Sequence, residues 1–594
     1  MIWPFQAKTD NNTHPRPSRI FSPPEWEWAK TGDVGWWVRA HWHSALLGKD
    51  GLRLDEWREQ NRLSVVKEGP HRVVYRADLP EGSVYVKHFL VPDFRAKLRQ
   101  WFRRGKGRNE GKRTRHLESI GVPTITPIAL GEQRKHKFLF ENYLVTPAIA
   151  DAVPFNELVE VILPKWPAER RNRVRKRLAE AVAVLTARLH DVGYVHTDFH
   201  PGNILVRFEA DDSPVLAMID LDAFRVVRNF DWEDAQQNLA LLNHYFWFRA
   251  DRADRRRFLK CYLAARRTQP PDPKAFARKI ETSTRAWAER HWTRWGRRCR
   301  RTNKYFKKIA GDHAWGVASR DLNRKEAVAL LADPDEPFRR EGAKLIKDAR
   351  TSAIVEITMT VNGAAVPVIY KRFNRKKWLD PFFTYFRPSR AWQSWQAGQH
   401  MVSRALPTPK NLAFIARTRP FLKDPLFWYL PHETYLITRK ADPAITLSDY
   451  ARKVLPRLSP ESQRLQIRGI THSLARLLRT MHDRSISDRD LKTANILILG
   501  DPEADPIRLS VIDLVGVRLI HPLPDHRRVQ NLARLQTSLI DVPGRTRTDS
   551  LRFLRAYLPW GLTTQKDWKS LWRAVASASL DKVERNQRRG REVS

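Results

Sequence analysis

Cysteine is nearly absent from this chain of 594 residues, which carries only Cys261 and Cys299. Two thiols imply no disulfide framework, and a reducing compartment is the expectation. Long hydrophobic runs are missing too. The apolar runs, such as Ile496–Leu499, are strand-sized, far short of the roughly 18 apolar residues that suggest a membrane-crossing helix. The opening "MIWPFQAKTDNN" lacks a basic region followed by an apolar core, so no signal peptide is expected. Acid is scarce relative to base: 65 Asp and Glu stand against 107 Lys and Arg, a formal charge of +42. Such a surface attracts polyanions, whether nucleic acid, anionic lipid headgroups or phosphorylated glycans. The same excess is equally compatible with general solubility. No recognisable nucleic-acid module accompanies it, so nucleic acid is not an expected partner.

What is present is a repeat. Hydrophobic residues make up 42% of the chain, which supports globular folding, and its length calls for at least two domains. "GYVHTDFHPGNILV" at 193–206 is echoed by "SISDRDLKTANILIL" at 485–499. With Asp198 aligned to Asp490, Asn203 falls on Asn495, each five residues on and each leading into a short apolar strand. "AMIDLDAF" and "SVIDLVGV" follow, placing Asp220 22 residues after Asp198 and Asp513 23 residues after Asp490. Then come "NLALL" and "NLARL", and finally "RRFLKCYL" and "LRFLRAYL". So many spaced matches make the chain a tandem duplication with an offset of about 290 residues.

Each half reads as strands with one intervening helix, then mostly helices around a small hairpin. "SVYVKHF" and "PVIYKRF" put Lys87 and Lys371 on strands. "NEGKRTRHLESIGVP" puts Glu110 on a helix that Gly121 and Pro123 end. Val174, Leu178, Val182, Leu185 and Leu189, and again Ile467, Ile470, Leu474, Leu477 and Met481, recur at helical spacing as core stripes. A strand lysine, a helix glutamate, D-x-x-x-x-N and a strand-end aspartate are, in this order, the parts of a phosphoryl-transfer site. The lysine holds the nucleotide phosphates and the glutamate fixes the lysine. The first aspartate accepts the proton of the acceptor hydroxyl. The asparagine and the second aspartate supply oxygens to Mg²⁺. In the first half these are Lys87, Glu110, Asp198, Asn203 and Asp220; in the second, Lys371, Asp490, Asn495 and Asp513. Asp222 is at most auxiliary, because Val515 stands in its place. His196 is read as a packing residue, replaced by Asp488. His200 and Lys492 occupy the position of a cation near the transferred phosphate, and a loop-stabilising hydrogen bond is the alternative for His200.

These motifs, with "VVKEGPHRVVYRADLPEGSVYVKHF", "HLESIGVPTITPIALGE" and "SRALPTPKNLAFIAR", resemble the lipopolysaccharide kinase family, which phosphorylates heptose or Kdo sugars of the inner core. The resemblance covers roughly residues 55–265 and 340–560. It implies an α+β fold of two tandem protein-kinase-like bilobal domains, each a small antiparallel β lobe and a larger helical lobe. It also implies ATP and Mg²⁺ dependence, a lipid-linked glycan acceptor, and a cytoplasmic protein peripheral on an anionic inner-membrane surface. Neither half has a G-x-G-x-x-G loop. The first offers "KEGPHR" with Gly69 and Arg72, and the second offers "KDARTS" with Thr351 and Ser352. Lys371 lacks a glutamate partner, since the position of Glu110 maps to Ser394. The first half is therefore expected to be active, and the second either active on another hydroxyl or degenerate.

The expected division is a Trp-rich extension at 1–54, kinase-like domains at 55–284 and 325–575, a basic linker at 285–324 and a basic tail at 576–594. In the linker, Trp287, Trp292 and Trp295 stand among arginines and lysines. They either anchor at a membrane interface or pack as a linker helix. A Ser/Thr protein kinase, a small-molecule phosphotransferase and a pseudokinase pair binding anionic lipid or glycan are the alternative functions. The lack of an A-P-E segment after Asp220 and Asp513 disfavours a regulated protein kinase.

Overall fold

The computed structural model describes residues 25–69, 72–90, 106–135, 138–374, 388–418, 431–502, 507–540, 542–558, 565–588 and 590. The opening segment "MIWPFQAKTDNN" and the tip of "KEGPHR" lie outside the described residues. The chain divides into two units, Met1–Ala288 and Glu289–Ser594.

The first unit begins with a seven-stranded antiparallel sheet. Its spatial order is Trp26–Thr31, Val34–Arg39, Ala129–Lys135, Phe138–Pro147, Gly82–Phe89, Arg72–Leu79 and Leu63–Gly69. Period-two alternation sets its faces. Val84 and Val86 turn into a core with Trp36, Val38, Ile128 and Val145, leaving Tyr85 and Lys87 on the opposite face. The helix Lys106–Ser119 interrupts the sheet in sequence. A helical lobe follows, built on Ala168–Asp191, whose stripe of Val174, Leu178, Val182, Leu185 and Leu189 is buried. Against it sit the hairpin Ile204–Phe208 with Pro214–Met218 and the pair Tyr194–His196 with Phe224–Val226.

The second unit repeats this order: Phe306–Ala310, Ala314–Ser319, Asn411–Thr418, Pro431–Arg439, Ala364–Phe373, Ser352–Val361 and Lys344–Ala349 form its seven-stranded sheet. Arg390–Ser403 takes the place of Lys106–Ser119, and Pro460–Asp483 buries the second stripe. Each unit thus has a kinase-like bilobal architecture, with a β lobe and a helical lobe.

Two expected boundaries move. The segment read as an extension up to residue 54 supplies two strands of the first sheet, because "EWEWAKTGDVGWWVRAHW" alternates around a Thr-Gly-Asp turn. The segment read as linker supplies two strands of the second sheet. The first unit's last helix in sequence is Pro273–Arg298, whose Phe276 and Ile280 join that unit's core and which continues into the second unit. Its later tryptophans are packed within the second unit, in agreement with the linker-helix reading. Trp292 is buried, its indole N–H donates to Ser403 O at 3.1 Å, and the buried Arg404 guanidinium lies 4.3 Å above the ring. Trp295 packs on Tyr305 and Phe306. The basic tail begins inside another helix, Gln565–Arg588. No helix among the described residues is long and apolar enough to cross a membrane.

Truncating Trp292 to alanine removes a core anchor and leaves a cavity, so it is expected to destabilise the second unit by about 3–5 kcal/mol. Thermal unfolding followed by circular dichroism checks this. Wild-type stability in Trp292→Ala would return the indole to the surface-anchor reading.

Candidate active site

In the first unit, the alternation of Gly82–Phe89 aims Lys87 off the sheet core toward the helix Lys106–Ser119. Its Nζ lies 2.5 Å from Glu110 Oε1, with the two side chains only 15% and 6% exposed. A pair this buried fixes the ammonium in one direction, and removing either partner would strand a charge. One turn along the same helix, Arg113 donates to Leu221 O, Asp222 O and Asp222 Oδ1. The lysine-fixing helix therefore also holds the turn after Asp220. That turn begins with Asp220 in the left-handed region, φ 58°, a conformation aspartate tolerates better than most residues. Burial alone would raise the Asp220 carboxyl, but Lys87 and Arg72 outweigh it and hold the group below its ordinary range. Arg72 donates to Asp220 Oδ1 at 3.3 Å, and Gly69 pairs with Arg72 across the strand ends.

The catalytic loop is tied from within. Asn203 Nδ2 donates to Asp198 O at 3.0 Å, which turns the amide nitrogen inward and leaves the amide oxygen as its remaining donor to a cation. Asp198 N donates to His196 Nδ1 at 3.1 Å. His196 is buried, and burial pushes its imidazole down to about 4, with Asp220 opposing. It is a neutral loop support. His200 makes the loop-stabilising hydrogen bond, its Nδ1 accepting from Gly202 N at 3.0 Å, and its Nε2 lies 3.6 Å from Asp198 Oδ2. A Cβ on Gly202 would stand 2.7 Å from the His200 ring, so the glycine lets the ring lie against the loop. The Asp198 side chain itself is 74% exposed, open to an incoming hydroxyl.

The second unit rebuilds the loop with different parts. Asn495 Nδ2 donates to Asp490 O at 2.8 Å, and Asp513 is again left-handed, φ 54°. Asp488 replaces His196 and accepts from Asp490 N at 2.9 Å. Gly516 faces it; a Cβ there would be 2.4 Å from Asp488 Oδ1. Lys492 Nζ lies 3.5 Å from Asp490 Oδ2, and Ala494 stands in place of Gly202, with no imidazole present. Lys371 has no glutamate. Ser394, at the position of Glu110, is buried with an unpartnered hydroxyl among the described residues. Lys371 turns instead to Asp513, Nζ to Oδ1 at 2.8 Å. The Arg113–Asp222 pair is replaced by Ala397 and Val515, and Val515 packs against an apolar cluster.

A network that sequence reasoning left out supports both loops. His190 Nδ1 lies 2.8 Å from Tyr262 OH and its Nε2 lies 3.1 Å from Asn238 Oδ1, while Asn238 Nδ2 donates to His196 O. The second unit repeats it with His482, Tyr557 and Asn531, and Asp488 N donates to Asn531 Oδ1. The repeated "NLA" and "F-L-x-x-Y-L" segments carried its signal. Among the described residues no group of three or more His, Cys, Asp or Glu side chains gathers as a metal cage; each loop offers one carboxylate and one carboxamide.

Burial pushes the Asp488 carboxyl up to about 6, and Asp490 and Asp513 add to this, while the backbone hydrogen bond from Asp490 opposes it. A carboxyl raised in the folded state stabilises the fold while protonated. That contribution is lost as pH climbs from the ordinary carboxylate range through about 6. Asp488→Asn is therefore expected to flatten the stability–pH curve of the second unit between about pH 4 and 6. Denaturant titrations across that range check it, and an unchanged curve would contradict the assignment.

Comparison with known proteins accords with this geometry. The model of the lipopolysaccharide kinase (Kdo/WaaP) family matches residues 58–262 and 350–557. The lipopolysaccharide core heptose(I) kinase WaaP of Pseudomonas aeruginosa is 31% identical over 167 residues, 28% of this chain. The chain spans 58% of the length of that curated relative. A solved structure of WaaP in complex with acyl carrier protein shows 24% identity, covering 41% of this chain and 91% of that one, with a TM-score of 0.31. A Toxoplasma gondii specific rhoptry antigen kinase domain shows 13% identity over 38% and 84% of the two chains, with a TM-score of 0.25. With the family model matched once in each unit, over well more than half its length, the chain belongs to the lipopolysaccharide kinase (Kdo/WaaP) family as a tandem pair.

Proposed function

We propose that the protein is an ATP- and Mg²⁺-dependent phosphotransferase that phosphorylates a sugar hydroxyl, of heptose or Kdo, in the lipopolysaccharide inner core. The observation that carries this reading is the first unit's set of a buried Lys87–Glu110 pair, an exposed Asp198, Asn203 tied to the Asp198 backbone and Asp220 in a left-handed turn bonded by Arg72.

Lys87, held by Glu110, presents one fixed positive charge to the nucleotide phosphates. Arg72, which bonds Asp220, has the reach to transfer its guanidinium to a phosphate. Asp198 accepts the proton of the attacking hydroxyl, and His200 beside it adds positive character on the side of the transferred group. Asn203 and Asp220 fit Mg²⁺, which takes a few protein oxygens and completes its shell with water and phosphate. When bound, the ion neutralises charge on the phosphates. The work falls on the cytoplasmic face of the inner membrane, where a chain of net charge +42 meets anionic lipid without crossing it.

The second unit supports a weaker or divergent site. Its lysine is already paired to the aspartate that would serve the metal, and Ser394 cannot redirect it.

Asp198→Ala is expected to lower phosphoryl transfer by about 10²–10⁴-fold with folding intact. Purified protein with labelled ATP, Mg²⁺ and dephosphorylated inner-core lipopolysaccharide, beside a generic protein substrate, checks it. Label entering only protein supports the protein-kinase alternative. Full activity in Asp198→Ala with loss in Asp490→Ala assigns the chemistry to the second unit.

A further inference from the structure

Superimposing the two catalytic loops by their shared motifs exposes a one-sided change in charge. Thr197, His200, Asp234, Leu241 and Trp287 of the first unit correspond to Arg489, Lys492, Arg527, Arg534 and Lys582 of the second. The last pairing follows from a matched contact. Thr284 Oγ1 meets Ala240 O in one unit and Ser579 Oγ meets Ala533 O in the other, and Trp287 and Lys582 each lie three residues further on. Against these gains the loop adds Asp488 in place of His196, and the two helices add Asp525 and Asp581 in place of Trp232 and Ala286. Asp525 and Asp581 are exposed, so the one added carboxylate that is buried, Asp488, stands against five added cations.

The added cations gather on the helical side of the loop: Lys492 lies 3.5 Å from Asp490 and Lys582 faces the same carboxylate, while Arg534 faces Asp488, with Arg489 and Arg527 beside it. The helix Asp525–Ser538 backs the loop, holding Asp488 N through Asn531 and Thr493 N through Ser538 Oγ. Arg534 on that helix has a buried Nη1 without a hydrogen-bond partner among the described residues. The helix Gln565–Arg588 packs on it at Ser579, and Lys582 is half-buried there, while Asp581 and Glu584 of the same helix face solvent. Burial lowers the Lys582 ammonium from its ordinary value, Arg534, Lys492 and Arg585 lower it further, and Asp490 opposes. Half-buried cations crowded together with one unfilled donor form an arrangement that an anion completes. All of these groups belong to the helical lobe, whereas Lys371 belongs to the sheet.

We propose that the second unit carries a phosphomonoester subsite beside Asp490, built by Arg534, Lys582 and Lys492, which receives a glycan that already bears a phosphate. The choice of glycan rests on the kinase reading above, but the site is tested by binding alone. A dianionic phosphomonoester suits the cation excess better than a monoanionic sugar carboxylate, which makes dephosphorylated inner-core glycan, with its carboxylates intact, the natural control.

The experiment is isothermal titration of the full chain, without nucleotide, by phosphorylated inner-core glycan, by the same glycan after phosphatase treatment, and by inorganic phosphate. Lys582→Gln and Arg534→Leu are compared with wild type, each checked for folding by circular dichroism. The phosphorylated glycan is expected to bind at least about ten-fold more tightly than the dephosphorylated one. That preference should fall toward unity in both variants, with binding of the dephosphorylated glycan unchanged. Equal binding of the two glycans by wild type, or a preference that survives both substitutions, would overturn the proposal. Inorganic phosphate binding as tightly as the phosphorylated glycan would also overturn it, in favour of a free-phosphate site. Absence of any phosphoryl transfer would refute the kinase reading while leaving this preference measurable.

Discussion

Both catalytic loops depend on one buried imidazole that has to satisfy two hydrogen bonds without carrying charge. His190 is fully enclosed, and burial drives it down to about 3, so it is neutral under all ordinary conditions. A neutral ring has one donor and one acceptor nitrogen. Its partners assign the tautomer: Asn238 Oδ1 can only accept, so Nε2 donates, and Tyr262 OH supplies the proton to Nδ1. Asn238, so oriented, has its amide group free to donate to the backbone of His196, two residues before Asp198. The backbone leading to Asp198 is thus positioned by core packing of three helices and not by exposed contacts of its own. His482, Asn531 and Tyr557 impose the same constraint in the second unit.

On that shared frame the two sites differ in how charge is arranged. The first pairs its strand lysine with a buried glutamate, and couples the same helix to the aspartate turn through Arg113. The second has lost both devices together. Ser394 and Lys371–Asp513 replace the first, and Ala397 with Val515 replaces the second. The second unit instead carries added cations on its helical side, Lys582 toward Asp490 and Arg534 toward Asp488.

The sequence disclosed the bilobal order and most of the site because those residues sit in local motifs whose order and spacing carry the chemistry. Asp198 with Asn203, and Asp220 at a strand end, needed no tertiary information to be found. Lys87 and Glu110 came from order alone, since a strand and the next helix are neighbours in such a lobe. The histidine network stayed hidden because its members are 48 and 72 residues apart and each looks like an ordinary helix residue. Trp292 and Trp295 left two readings open because aromatic residues beside arginines look the same on a membrane-facing helix and on one that packs inward; only the partners, Ser403, Arg404 and Tyr305, decide. The first two strands were masked by their own tryptophan content.

The pairing of His200 with Gly202, and of Asp488 with Gly516, bears on how the duplicated halves diverged. At Gly516 a Cβ would stand 2.4 Å from Asp488 Oδ1 and 2.8 Å from the Asp490 backbone nitrogen, so the buried support of the second loop and its facing glycine have to change together. The first loop has no such lock at Gly202, because the nearest atom there is the tip of the half-exposed His200 ring, which can turn aside. The two loops of common origin therefore tolerate the exchange of single residues unequally.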